Sequence, residues 1–225
     1  VETSQGVVSL RDGPRIIQGH SELKGLSTTQ KSDSVVVNAT FTGALSHVQW
    51  QVQADGWIKL SYTYNLEGPH DVMGVQFSYP EENMKAMTWL GKGPYRVYKN
   101  RIKGGRFNVW HNVYKDHQPG VTWDFPEFRG YYQDWNWVTF DTSQGRITLV
   151  NETDDLYLGV YRPKDGPDPR RTALSAPDTQ LALLHGIPAI GTKFLKANTL
   201  GPQSQTNQAH GTYEGTVYIK VQSNP

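Results

Sequence analysis

The sequence predicts an all-β protein built from antiparallel strands. Apolar residues recur with a period of two along most of the chain, which is the spacing of a strand with one buried face. Asp55-Gly56 separates two such runs, and an Asp-Gly pair in this position is a strong β-hairpin signal. Only the short stretch TQLALLHG at 179–186 has a candidate helical pattern. These observations predict one large β domain over residues 1–225.

The predicted strands share alternating apolar residues and end at turn residues. In chain order they are 34–43, 47–52, 57–66, 84–90, 135–140, 146–150, 156–161 and 216–221. The second and third form one hairpin, the fifth and sixth form another, and the fourth is expected to end at a Gly-Pro turn. Three long stretches carry little strand signal, at 100–134, 162–180 and 195–212. Such long loops are typical of a large sandwich whose loops pack on a neighbour, not of a small barrel.

The composition excludes several classes of function. Lys and Arg number 22 against 21 Asp and Glu, so the net charge of +1 argues against binding to nucleic acid or to an acidic membrane. The absence of cysteine excludes disulfides, thiolate nucleophiles and cysteine metal sites. No run approaches the roughly 20 apolar residues of a membrane span, and no signal segment is evident. Because the chain begins at Val1, we expect a mature form, a truncation or an excised domain.

The aromatic content is high, with 7 Trp and 12 Tyr residues. A wide β core would account for it. Sugar recognition would also account for it, because flat aromatic rings stack on the C–H faces of pyranoses. A carbohydrate-binding module is therefore one hypothesis, with Trp57, Trp110 and Trp135 as candidate platforms.

Carboxylate pairs are the candidate catalytic groups of a glycosidase. The two carboxyl groups lie about 5–5.5 Å apart in retaining enzymes and about 6.5–9.5 Å apart in inverting ones. Asp124 and Glu127 flank Pro126 and could converge. The adjacent Asp154 and Asp155 would point to opposite faces of a strand, so a turn is the better interpretation for them.

The histidines indicate neither a metal site nor a cofactor. All seven are scattered, and no HxH or HExxH spacing occurs, so neither zinc nor a cofactor is expected. A GxSxG nucleophile motif is absent as well. An aldose epimerase or mutarotase would need a histidine acid and a carboxylate base within hydrogen-bond reach of the sugar. His111, His185 and Glu127 are the candidates for this second hypothesis.

The stretch TWLGKGPYRVYKNR at 88–101 is the most distinctive segment. It does not fit a phosphate loop, which needs GxxxxGK followed by Ser or Thr and a helix. Pro94 also removes a backbone donor. Arg101 could bind a carboxylate or hold a backbone carbonyl, and the latter role would anchor a loop.

This stretch resembles the WLGxGPxExYxDR segment in the last β-sandwich domain, or small chain, of β-galactosidases in glycoside hydrolase family 2. The matching residues are Trp89, Leu90, Gly91, Gly93, Pro94, Tyr98 and Arg101. Asn100 stands where the family usually has Asp. Downstream, WDFPEFRGYYQDWNWVTF is similar to the family's (Y/V)xxPxENGxRxxxRW stretch at Pro126, Gly130 and Trp137, whereas Phe128-Arg129 replace Glu-Asn. The likeness extends over roughly residues 10–222.

The resemblance implies a large antiparallel supersandwich that is similar to galactose mutarotase and accessory to a catalytic TIM barrel. The two catalytic glutamates would lie in that barrel, in the same polypeptide, and this chain alone would not be catalytic. A late family loop similar to IGTKF at 190–194 lends a tryptophan to the sugar subsite, and Lys193 and Phe194 stand nearest to its place.

Trp110 and His111 complete the candidate substrate-binding residues. The implied substrate is a β-galactoside or a related glycan, with no nucleic acid and no membrane as partner. The implied location is the periplasm or the outside of a bacterial cell.

Overall fold

The computed structural model describes residues 2–4, 16–18, 21–113, 130–160, 179–192 and 194–223. Within these ranges the regular structure consists of fourteen β-strands and three single-turn 3-10 helices, with no α-helix. The strands are β1 (Glu2–Ser4), β2 (Ile16–Gln18), β3 (Ser21–Gln30), β4 (Ser34–Gly43), β5 (Leu45–Gln53), β6 (Trp57–His70), β7 (Val72–Pro80), β8 (Met84–Val97), β9 (Arg106–Val113), β10 (Tyr131–Thr142), β11 (Gly145–Asn151), β12 (Tyr157–Val160), β13 (Thr179–Gly186) and β14 (Asn207–Ser223). The 3-10 turns are Glu81–Asn83, Ala197–Thr199 and Pro202–Ser204.

The strands form two antiparallel layers that share one strand. The smaller sheet has the order β2-β1-β7-β13-β12, and the larger sheet runs β3-β4-β5-β6-β14-β11, followed by β10, β8 and β9. At its start, β10 pairs with β12 through Tyr132 and Leu158. From Trp137 onwards it pairs with β11 on one side and β8 on the other. The all-β, antiparallel prediction is therefore confirmed.

The core lies between the two layers. One cluster of buried side chains contains Leu158 and Leu183 from the smaller sheet with Leu60, Trp89 and Phe140 from the larger one. Each of these five side chains is at most 1% exposed. Along β6, the alternation of apolar residues correctly predicted which face of the strand is buried. Burial of one face of a strand selects apolar residues at every second position.

The predicted helical pattern at 179–186 is wrong, because this segment is strand β13. It lies between β7 and β12 and is buried on both faces. Leu181 and Leu183 pack into the main core, whereas Ala182 and Leu184 pack into a second cluster. A strand buried on both faces gives a continuous apolar run, which periodicity alone cannot tell from a buried helix.

Strands extend into three places that the sequence predicts to be turn or loop. The strand predicted to stop at residue 90 continues through the Gly-Pro pair to Val97 as β8, and the Gly93–Pro94 peptide bond is cis. Strand β9 lies within the stretch 100–134, and β14 begins at Asn207 within 195–212. Pairing with β10 on one side and β9 on the other holds β8 extended through Gly93.

Candidate functional site

The Trp-Leu-Gly part of the 88–101 stretch is bound into the core. Trp89 is fully buried and packs edge-on against Tyr132, with ring centroids 4.8 Å apart. Gly91 faces the backbone of β10, where an added Cβ would lie 2.8 Å from the Cα of Trp135. Only glycine allows the two strands to approach this closely. This half of the motif is therefore a packing element of the sandwich.

Gly93 provides the surface on which Trp110 of β9 lies. A Cβ at Gly93 would be 2.7 Å from the indole Cδ1 and Nε1 atoms. The indole N–H donates to the carbonyls of Gly91 and Arg106, both at 3.2 Å. Trp110 is half-buried, and one part of its ring is covered by β8. The neighbouring His111 is exposed, and its Nδ1 lies 2.9 Å from the Thr88 hydroxyl.

Strand β8 ends in a tight turn at Tyr98–Arg101, which we call the anchoring turn. The Tyr98 and Arg101 backbones exchange two hydrogen bonds, of 3.3 and 2.7 Å. The Tyr98 ring is buried and meets Tyr131 of β10 edge-on. The turn faces residues 187–206, which lead from β13 in the smaller sheet to β14 in the larger one. We call these residues the crossover segment.

The anchoring turn holds the first part of the crossover segment through consecutive residues. The Lys99 N–H donates to the Pro188 carbonyl at 2.9 Å. The Asn100 amide donates to the Ile190 carbonyl at 2.9 Å and accepts from the Ile190 N–H at 3.0 Å. Arg101 donates to the Gly191 carbonyl at 3.4 Å. Of the two roles considered for Arg101, this contact corresponds to holding a backbone carbonyl.

The same turn also holds the last part of the crossover segment. Asn100 Nδ2 lies 2.9 Å from the Ser204 hydroxyl. Lys99 Nζ donates to the carbonyls of Gln205 and Thr206 at 2.9 and 3.1 Å. Burial lowers the pKa of Lys99, and the nearby Asp71 carboxylate offsets part of that shift. Both ends of the crossover segment are thus fixed to one turn.

Between these fixed ends lie Thr192, Phe194 and Leu195, which are joined by hydrogen bonds and which we call the Phe194 turn. The Thr192 N–H donates to the Leu195 carbonyl at 2.8 Å. The Thr192 hydroxyl accepts from the N–H groups of Phe194 and Leu195 at 3.2 and 3.0 Å. The Phe194 side chain is 86% exposed, whereas Ile190 is buried. Lys193 lies outside the described residues.

The predicted tryptophan platforms have different environments. Trp135 is 2% exposed and belongs to the main core, so its prediction as a surface platform is wrong. Trp57 is half-buried at the start of β6, with the Lys220 ammonium 5.3 Å from its ring centroid. Trp110 has its indole N–H bonded to backbone carbonyls, as described above. Of the three, Trp57 and Trp110 keep partial exposure.

One of the two candidate carboxylate pairs, Asp154 and Asp155, lies within the described residues. Asp154 and Asp155 lie in the turn before β12, as predicted, and Asp155 has a left-handed backbone with φ 56°. Asp124 and Glu127 lie outside the described residues. Among the residues that the structure does describe, no group of three or more His, Asp or Glu side chains could hold a metal ion.

His185 of β13 is a half-buried residue that makes hydrogen bonds through both ring nitrogens. Its Nε2 lies 2.9 Å from the Glu214 carbonyl, which can only accept, so the ring proton is on Nε2. Its Nδ1 then accepts from the Tyr64 hydroxyl at 2.8 Å. Burial raises the pKa of Tyr64, which keeps that hydroxyl protonated as a donor. Both ring nitrogens of His185 are therefore engaged in hydrogen bonds. The other histidine candidate, His111, lies on β9, the last strand of the larger sheet.

Sequence inspection missed the contacts of Lys99 and Asn100. Asn100 was notable only because the resembling family usually has Asp at that position. Its partners Ile190 and Ser204 lie about a hundred residues away in the chain, so no local pattern could indicate them. The available signal was an amide at the tip of a tight turn, which points to hydrogen bonding with backbone.

Fold and site together define an all-β antiparallel sandwich in which the exposed Phe194 side chain belongs to a segment that is hydrogen-bonded to the anchoring turn on both sides. The family model described as beta galactosidase small chain matches residues 11–194. The chain therefore belongs to the β-galactosidase small chain family. A comparison with curated proteins finds none that matches. Within the part of the chain that the structure covers, no helix has the length and apolar character needed to cross a membrane.

Proposed function

We propose that this chain is the accessory sandwich domain of a retaining, β-galactosidase-like enzyme of glycoside hydrolase family 2. It packs on a catalytic TIM barrel of the same polypeptide and helps to shape the sugar subsite during hydrolysis of β-glycosides. The observation that carries this proposal is the Phe194 turn, where an 86% exposed aromatic ring is presented by a loop fixed at both ends. An exposed aromatic held in place is suited to stack on a pyranose.

The chemistry of glycoside hydrolysis suggests which groups belong to the barrel and which to this chain. A retaining enzyme needs two carboxyl groups on opposite sides of the glycosidic bond, and the proposal assigns both to the barrel. This chain contributes the Phe194 ring, and Lys193 is the residue before it in the sequence. Lys193 adds a positive charge that would favour substrates carrying an anionic group.

The proposed substrate is a β-galactoside or a related glycan. Family membership and the Phe194 turn support this choice, whereas Trp110 and His111 support it less. Trp110 packs on β8, and His111 pairs with Thr88. The proposed location, in the periplasm or outside a bacterial cell, rests only on the glycan-degrading class of enzyme.

Kinetics of the assembled enzyme test the proposal. Hydrolysis of a nitrophenyl β-galactoside is measured for the polypeptide that carries both the barrel and this chain, and for the same polypeptide with this chain deleted. We expect the chain to be required for full activity. Because an aromatic stacking contact contributes about 1 kcal/mol, Phe194→Ala should raise KM about fivefold, whereas Phe194→Trp should keep the wild-type value.

Phe107→Ala is the matched control, since Phe107 is an exposed phenylalanine on β9, with 57% of its surface accessible. This substitution should leave KM unchanged. A barrel that works equally well without the chain would contradict the accessory role, and an unchanged KM in Phe194→Ala would contradict the subsite role. Anomerisation of galactose by this chain alone would support an epimerase instead.

A further inference from the structure

We infer that Asn100 is a positioning residue that sets the place of the Phe194 turn. Its relevance to sugar binding rests on the proposed function above, but the positioning itself rests on hydrogen bonds within this chain. Asn100 contacts the crossover segment on both sides of the Phe194 turn, at Ile190 and at Ser204. No other single side chain of the anchoring turn has a described contact with both sides.

The Asn100 amide uses both its donors and its acceptor in these contacts. Toward Ile190 it acts like a peptide group in a neighbouring strand, donating to the carbonyl and accepting from the N–H. Its second N–H points to the Ser204 hydroxyl. This set requires two donors and one acceptor on one planar group, which a short carboxamide supplies. An ionised carboxylate of the same shape has only acceptors.

Aspartate at this position would therefore oppose the observed geometry. An ionised Asp could still accept from the Ile190 N–H, but it would face the Ile190 carbonyl oxygen with a second negative oxygen. The hydrogen bond donated to the Ile190 carbonyl would be lost, whereas the Ser204 hydroxyl could reverse its role and donate to the carboxylate. A protonated Asp has one O–H and could restore the bond to the carbonyl. The substitution thus converts the positioning contact into one that depends on pH.

The neighbouring residues of the anchoring turn do not replace Asn100. Arg101 holds Gly191 through one long hydrogen bond, of 3.4 Å. Lys99 holds Pro188 through its backbone and Gln205 and Thr206 through its ammonium group. The Lys99 contacts would keep the outer parts of the crossover segment in place, and the Arg101 bond would be the remaining contact next to Ile190. Ile190 and the turn that follows it would then be the part that moves.

Amide hydrogen exchange of the 225-residue chain tests the positioning role. In Asn100→Asp at neutral pH, we expect the protection of the Ile190 amide to fall about tenfold or more, with faster exchange at Phe194 and Leu195. The amides of β6 and β14 should keep wild-type protection. As pH falls through the pKa of the introduced carboxyl, protection relative to wild type should recover.

Two further variants separate positioning from general loss of structure. Asn100→Ala should show the same local loss with no recovery at low pH. Ser204→Ala should show a smaller loss, because it removes one of three hydrogen bonds. If the Ile190 amide keeps wild-type protection in both Asn100 variants, or if the loss spreads equally over the core strands, the inference is wrong.

Kinetics of the assembled enzyme test the link to sugar. Asn100→Asp should raise KM at neutral pH by about the same factor as Phe194→Ala, and the double variant should be no worse than either single variant. If Phe194→Ala leaves KM unchanged, the proposed subsite is wrong, while the exchange experiment still decides the role of Asn100. If Phe194→Ala raises KM but Asn100→Asp does not, the positioning role is wrong.

Discussion

Replacing Gly93 with alanine tests how closely the Trp110 indole packs on β8. The new Cβ would lie 2.7 Å from two indole atoms and 2.9 Å from a third. Ordinary carbon contacts are about 3.5–4.0 Å, so the ring must move by about 1 Å. That movement would break its shared N–H bond to the Gly91 and Arg106 carbonyls.

The expected cost combines two effects. Overpacking of a fitted site costs about 1–3 kcal/mol, and loss of a hydrogen bond costs about 1 kcal/mol. A total of about 3 kcal/mol in a domain of this size corresponds to a fall in Tm of roughly 6–12 °C. Thermal unfolding followed by circular dichroism, together with urea unfolding followed by tryptophan fluorescence, would measure both quantities.

A double-mutant cycle assigns the cost to the indole. In a Trp110→Ala background the obstructing ring is absent, so Gly93→Ala should cost less than about 0.5 kcal/mol. Gly105→Ala serves as a neighbouring control, because its nearest contact would be a side-chain atom at 3.3 Å. The reasoning is refuted if Gly93→Ala costs the same with and without Trp110, or if Gly105→Ala is as damaging as Gly93→Ala.

Three other predictions concern His185, the buried tryptophan and the Phe194 turn. Burial lowers the pKa of His185 and outweighs the opposing effect of its bond to the Glu214 carbonyl. The unfolded chain, with a histidine pKa of about 6.5, then binds the proton more readily. The contribution of His185 to the free energy of unfolding should therefore be complete above about pH 6.5 and should decrease as the pH falls below that value. In His185→Gln, urea unfolding should show a smaller decrease of the free energy of unfolding over the same pH range. An identical pH dependence in the variant and the wild type would contradict this role of His185. Trp135→Ala should cost about 3–5 kcal/mol in chemical unfolding, because Trp135 is 2% exposed, whereas Trp57→Ala should cost about 1 kcal/mol or less; similar costs would contradict the burial argument. Thr192→Val should speed amide exchange at Phe194 and Leu195, because its hydroxyl accepts from both, and Thr192→Ser should not; equal exchange in the two variants would exclude this role of the hydroxyl.

The sequence predicted strands best where one face of a strand is buried. The segment 34–43 coincides with β4, and 57–66 lies within β6, because core and solvent impose an alternating pattern. Strand β13 was mistaken for a helical segment, since both of its faces pack against apolar clusters. Strand β3 was not predicted, because most of its residues are exposed and its sequence therefore lacks an alternating apolar pattern.

Features that depend on pairing between residues far apart in the chain could not be predicted from local sequence patterns. The Gly-Pro pair in β8 looks like a turn, but β9 and β10 hold that stretch extended on either side. The candidate site shows the same limit. Phe194 was predicted through a family resemblance, whereas the Asn100–Ile190 contact joins residues far apart in the chain and has no local signature.

Strand β10 takes part in both layers, and this constrains how the molecule can deform. Its first half is hydrogen-bonded to β12, and its second half lies between β11 and β8. The β10 backbone passes from one layer to the other through an irregular stretch, with Asp134 at φ 47°, and it pairs with β8 on both sides of that stretch. Under the proposed function, a displacement of the Phe194 ring toward a sugar is expected to come from the crossover segment itself. Among the described residues, the two layers linked by β10 form the platform, and the Phe194 turn is the part that the proposed function would require to adapt.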